Sequence, residues 1–105
     1  MRVSVRPFDA AAYVDSAADQ ADLLSDAVAS GDRRYIAYAL GAVARARGGI
    51  AKLARESGMN RQALHKALGQ EGNPTLDTVI KVLHALGLRM RIEEKPAAGK
   101  LEAAE

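Results

Sequence analysis

Residues 50 to 69, IAKLARESGMNRQALHKALG, decide the fold of this chain. They read as two short helices joined by a tight turn. Leu53 and Ala54 face inward on the first helix, and Ala54 is small enough for two helices to cross there. Gly58 stands where that helix must end in a left-handed residue, a conformation open to glycine because it lacks a Cβ. Met59 fills the turn, and Asn60 offers a side-chain oxygen as the N-cap of the second helix. Leu64 and Leu68, four apart, pin the second helix to the core. Its other face carries Arg61, Gln62, His65 and Lys66, all long donors, with Gln62 able to accept as well. A helix built this way can enter the major groove and read base edges. Two positions depart from the ideal hairpin: Ser57 stands before the turn glycine where an apolar residue is usual, and Ala67 is small for a core position.

The charge pattern supports the same reading. Arg45 to Arg91 holds nine Lys/Arg and three acids, a net of +6, while residues 1–44 and 92–105 each carry a net of −2. The overall +2 therefore hides a basic middle, the footprint of a phosphate-binding module. Solvated helix faces are often charged too, but here no acid interrupts the stretch from Asn60 to Leu68.

At 105 residues the chain suits one domain with a modest core, which dimerisation would reinforce. It has no cysteine, so no disulfide, thiolate metal site or thiol nucleophile is available; this fits a reducing cytoplasm. No stretch approaches the ~18 apolar residues of a membrane span, and MRVSVRPFD lacks the apolar run of a secretory signal. One phenylalanine and three tyrosines are too few for a platform that stacks single-stranded bases. There is no glycine-rich phosphate loop followed by Lys-Ser/Thr, no nucleophile elbow and no His-Glu-x-x-His. His65 and His84 are the only histidines, with no carboxylates arranged around them. The chain reads as a non-enzyme with no cofactor and no metal.

Outward from the hairpin, Val3 and Val5 alternate with polar residues as in a short strand that Pro7 ends. Phe8 suits a core anchor, and Asp9 can cap a short helix reaching about Val14. Ser16 can cap a helix over 17–29 with Ala17, Ala21, Leu24 and Val28 inward and Asp19, Asp22 and Asp26 on another face. Gly31 stops it and Asp32 caps the next, over 33–47, with Ile36, Ala39, Leu40 and Val43 as its apolar stripe. Gly48 and Gly49 turn the chain into the hairpin. Beyond it, residues 70–74 form a loop, and Thr75 caps a last helix, with Leu76, Val79, Ile80, Leu83 and Leu86 inward and Gly87 at its end. Leu88, Met90 and Ile92 then alternate with Arg89, Arg91 and Glu93, the period of a strand, which would need residues 2–6 or a second chain as partner. Residues 95–105 have no stripe and read as a disordered tail.

The run ALGAVARARGGIAKLARESGMNRQALHKALGQEGNPTLDTVIKVLHALGLRM, with RPFDAAAYV and SGDRRYIAYAL before it, resembles the addiction-module antidote (HigA-like) proteins of the Xre/Cro-repressor-type helix-turn-helix superfamily. The resemblance spans roughly residues 6 to 93. It implies a lambda-repressor-like, all-α bundle of five or six helices, here with a short C-terminal strand, forming one domain over 1–94 with its recognition helix at about 61–68. It also implies an antitoxin that represses its own operon as a homodimer on an inverted repeat of double-stranded DNA, and that neutralises a small basic toxin of the RelE/ParE-like class. By position, Asn60, Arg61, Gln62, His65 and Lys66 fall where such repressors contact DNA, and Asn73 and Thr75 fall where the loop and last helix approach the phosphate backbone.

Among these residues Gln62 suits a bidentate contact to adenine. Arg61 suits guanine or a phosphate, and Lys66 a phosphate. His65 is either a base reader or simply exposed. The N-terminus of the helix that Thr75 caps attracts anions as well. Arg45, Arg47, Lys52 and Arg55 are further backbone contacts or solvated cations. The acids of the first long helix suit a basic toxin. Two other readings stay open: a transcriptional regulator without a toxin partner, and a protein-binding adaptor that does not use the hairpin on DNA.

Overall fold

Four of the five α-helices begin at a residue whose side chain closes the first turn, as their sequences require. In the computed structural model, which describes residues 10–95, Ser16 Oγ accepts from the Asp19 amide at 3.0 Å and opens α1, Ala17–Ser30. Asp32 Oδ1 accepts from the Arg34 amide at 2.9 Å at the head of α2, Arg33–Ala46. Asn60 and Thr75 do the same for α4, Arg61–Ala67, and α5, Leu76–Ala85. Such caps satisfy N–H groups that have no partner within the helix. Only α3, Ile50–Ser57, starts without one, from Gly49. A single 3-10 turn, Ala10–Tyr13, precedes α1. The described residues are thus all-helical.

α2 is the central helix. It is buried at Ala37, at Ala39 and at each residue from Leu40 to Ala44, a run mostly of alanine and glycine that lets its neighbours come close. The 3-10 turn and α1 pack on it, and α3 packs against α4 and α5. Leu40, Val43, Leu64 and Val82 are fully buried, each contributing about 1.5–3 kcal/mol by leaving water. Side chains tie the frame at three further points. The Tyr38 hydroxyl accepts from the Ala10 amide at 2.8 Å, holding the 3-10 turn. Arg47 Nη1 donates to the Leu86 carbonyl, joining the ends of α2 and α5. Arg33 Nη1 donates to the Gly72 carbonyl at 3.4 Å, joining the start of α2 to the loop before α5.

Three sequence expectations need correction. Of the residues expected inward on α1, Leu24 is buried and Ala21 half-buried, but Ala17 and Val28 are exposed, and Gln20 and Ala27 complete the buried face. Gln20 turns inward with its Nε2 donating to the Val14 carbonyl at 3.0 Å, which offsets part of the cost of burying an amide whose Oε1 has no hydrogen-bond partner among the described residues. In α5, Val82, Leu83 and Thr78 are buried with Leu86, while Leu76 is 67% and Ile80 38% exposed. Residues 88–95 form no strand. An isolated strand leaves its backbone groups unpaired and is not stable, and among the described residues no strand lies beside these; Ile92 is 87% exposed. The expected strand at residues 2–6, the Phe8 anchor, the Asp9 cap and the tail from 96 onward lie outside the described residues.

Candidate nucleic-acid interface

The α3–α4 hairpin follows its sequence closely. α3 ends at Gly58 in the left-handed conformation, φ 73°, and the Met59 amide bonds back to the Ala54 carbonyl at 3.1 Å. Asn60 Oδ1 accepts from the Ala63 amide at 2.9 Å, so only three residues, Gly58, Met59 and Asn60, separate α3 from α4. Leu53, Ala54, Leu64 and Leu68 are buried in one core cluster, with Met59 packed against it. The departure at Ser57 is absorbed locally: the residue is half-buried and its Oγ donates to the Ala54 carbonyl at 3.4 Å.

With Leu64 wholly buried, helical periodicity turns Arg61, Gln62, His65 and Lys66 outward, and all four are exposed. Arg61, Gln62 and His65 line one shallow hollow of about 370 Å³. Lys66 lies beside His65 on the same helix. No acid occurs in α4. The face therefore presents donors of one charge sign with an amide among them, which suits phosphate oxygens and the acceptor edges of bases.

The remaining predicted residues are held differently. Asn60 is exposed, but its side-chain oxygen is engaged as the cap, leaving its amide NH₂ for any outside acceptor. Thr75 Oγ1 both accepts from the Thr78 amide and donates to Thr78 Oγ1, each at 3.1 Å. The Thr75 hydroxyl is thus spent within α5. Asn73 is exposed in the loop, next to Gly72, which is buried. Asn73 and Thr75 do not line the hollow formed by Arg61, Gln62 and His65. One cation passed over in the sequence, Arg34, shares a groove with Arg61 and His65. Its signal was the stripe Arg34, Tyr38, Gly41 and Arg45, which repeats at helical spacing on the face of α2 opposite Ile36, Ala39, Leu40 and Val43.

Among the described residues no group of three or more His, Cys, Asp or Glu could hold a metal ion, and no helix is long and apolar enough to cross a membrane. The structure is that of a small helical protein with a cationic, solvent-facing helix seated on its core by two leucines. Comparison with known families narrows the class: the family model described as "Probable addiction module antidote protein" matches residues 4–94, and the chain belongs to that family. The family description places it with the antidote, or antitoxin, side of addiction modules. The chain is also 35% identical over 94 residues to an uncharacterized protein of Haemophilus influenzae, covering 90% of this chain and 96% of that one. No solved structure matches the chain.

Proposed function

We propose that this protein is the antitoxin of a type II toxin–antitoxin module, that it represses its own operon by sequence-specific DNA binding through α4, and that it neutralises a RelE/ParE-like toxin by direct contact. The observation that carries the DNA-binding reading is the exposure of Arg61, Gln62, His65 and Lys66 on α4 while Leu64 opposite them is completely buried. Gln62 reads a base edge, Arg61 and Lys66 hold phosphates or guanine, and His65 lies between them. Asn73 and the backbone at Thr75 approach the phosphates from the next loop. A homodimer places two copies of α4 ~34 Å apart, one turn of duplex, and so reads an inverted repeat. Among the acids of α1, Asp19 and Asp22 stand exposed with Asp26 on a face suited to a basic toxin.

Fluorescence anisotropy on the duplex upstream of the reading frame, beside a scrambled duplex, tests the DNA arm. The wild type should prefer the native duplex, with affinity falling steeply as salt rises, and Gln62→Ala should erase the preference. Equal, weak binding to both duplexes would reject autorepression and favour an adaptor that uses the hairpin as scaffold. Sedimentation of the free protein as a monomer, with single-site stoichiometry on DNA, would reject the dimer. Co-expression with the small basic reading frame next door tests the antitoxin arm: growth rescue that depends on this chain is expected, and its failure would leave a plain transcriptional regulator.

A further inference from the structure

A groove of about 830 Å³ runs between α2 and α4. Arg34, Tyr38 and Arg45 stand along its α2 wall, and Arg61 and His65 along its α4 wall, with Glu71 as the acid on its rim. Three arginines against one carboxylate make it a basic channel. Arg34 and Arg61 are both exposed, so their guanidinium groups face solvent where an outside anion can reach them. Arg45 is held in place: its guanidinium lies 5.9 Å from the centre of the Tyr38 ring, and Tyr38 is itself fixed by the Ala10 amide. Gly41 keeps the floor low. A Cβ there would stand 3.4 Å from Arg45 Nη1 and from the Leu68 carbonyl, so the Arg45 guanidinium lies close over the backbone of α2. The groove opens directly onto the helix proposed to read DNA, because Arg61 and His65 also line the hollow that contains Gln62.

We propose that this groove seats the sugar–phosphate backbone of the DNA strand beside α4, with Arg34 and Arg45 of α2 gripping phosphates beyond those that α4 meets. The inference rests on the DNA-binding reading above and extends the contact surface onto a helix outside the hairpin. Arg34 and Arg45 add affinity but no sequence preference, because phosphates are the same at every step. The first turn of α3 adds to the channel, since Gly49 gives its leading N–H groups no side-chain acceptor.

The test compares the salt dependence of duplex binding among charge-matched variants of the full chain. Each phosphate contact contributes about 0.9 to the slope of log K against log salt. Arg34→Gln with Arg45→Gln should flatten the slope by about 2 and weaken binding to native and scrambled duplexes alike. Arg34→Lys with Arg45→Lys should restore most of the slope. Arg89→Gln with Arg91→Gln removes the same charge beyond α5, where Arg89 borders a different hollow, and should leave the slope unchanged. If the groove variant keeps the wild-type slope, or if both glutamine pairs flatten it equally, the groove assignment is wrong while DNA binding stands. A wild type that binds no duplex overturns both.

Discussion

The Tyr35 hydroxyl donates to Asp26 Oδ2 at 2.6 Å, a bond that ties α2 to α1 on the solvent side of the molecule. It engages one of the three acids of α1 and leaves Asp19 and Asp22 outside it. The bond also holds the phenol's pKa above its ordinary value: the hydrogen bond to Asp26 is the largest cause, with smaller contributions from burial and from the carboxylate's charge. The phenol must be protonated to donate, so the contribution is fully present below the ordinary tyrosine value of about 10. It is lost as pH rises through the raised value. A tyrosinate absorbance titration should show a late-ionising component that is missing in Tyr35→Phe and moves toward the ordinary range in Asp26→Asn. An unchanged titration in Asp26→Asn would dismiss the carboxylate as the cause.

Gly72 is irreplaceable for a steric reason. A Cβ on it would lie 2.0 Å from the Ala67 carbonyl oxygen, a backbone atom at the end of α4 that cannot swing aside. Gly72→Ala should therefore cost about 1–3 kcal/mol, the range of overpacked sites, and should loosen the Arg33 contact to the Gly72 carbonyl. Urea unfolding is the measurement; a midpoint like the wild type's would show that the loop shifts freely.

Leu64 and Leu76 look alike in sequence but should behave oppositely. Leu64 is fully buried and Leu76 is 67% exposed. Leu64→Ala should destabilise by about 2–5 kcal/mol, whereas Leu76→Ala should stay within about 0.5 kcal/mol of wild type. Thermal melts of the two variants decide it, and a large loss at Leu76 would mean that a second chain covers that side of α5.

Asn60 is a cap before it is anything else. Asn60→Ala removes the acceptor for the Ala63 amide and should cost about 1 kcal/mol, while Asn60→Asp keeps it. If Asn60→Asp retains stability but binds the operator more weakly, the remaining amide group, or the added negative charge, acts at the DNA. Equal binding by wild type and Asn60→Asp would confine the residue to capping.

The local features of this chain were legible because their causes are local. Ser16, Asp32, Asn60 and Thr75 each bond to an amide two or three residues on, so no distant part of the chain can change the outcome. The inward pair Leu64 and Leu68 and the outward Arg61, Gln62, His65 and Lys66 follow from the same short period. Tertiary structure decided what depends on where neighbours lie. Gln20 turns in because the Val14 carbonyl waits for it. Val82 rather than Leu76 is buried in α5, since hydrophobicity says only that a side chain prefers cover and not which side receives it. Residues 88–94 alternate like a strand yet form none, because pairing is a property of two segments. The groove uniting Arg34 and Arg45 with Arg61 and His65 likewise exists only once folding sets residues of α2 and α4 along its two walls.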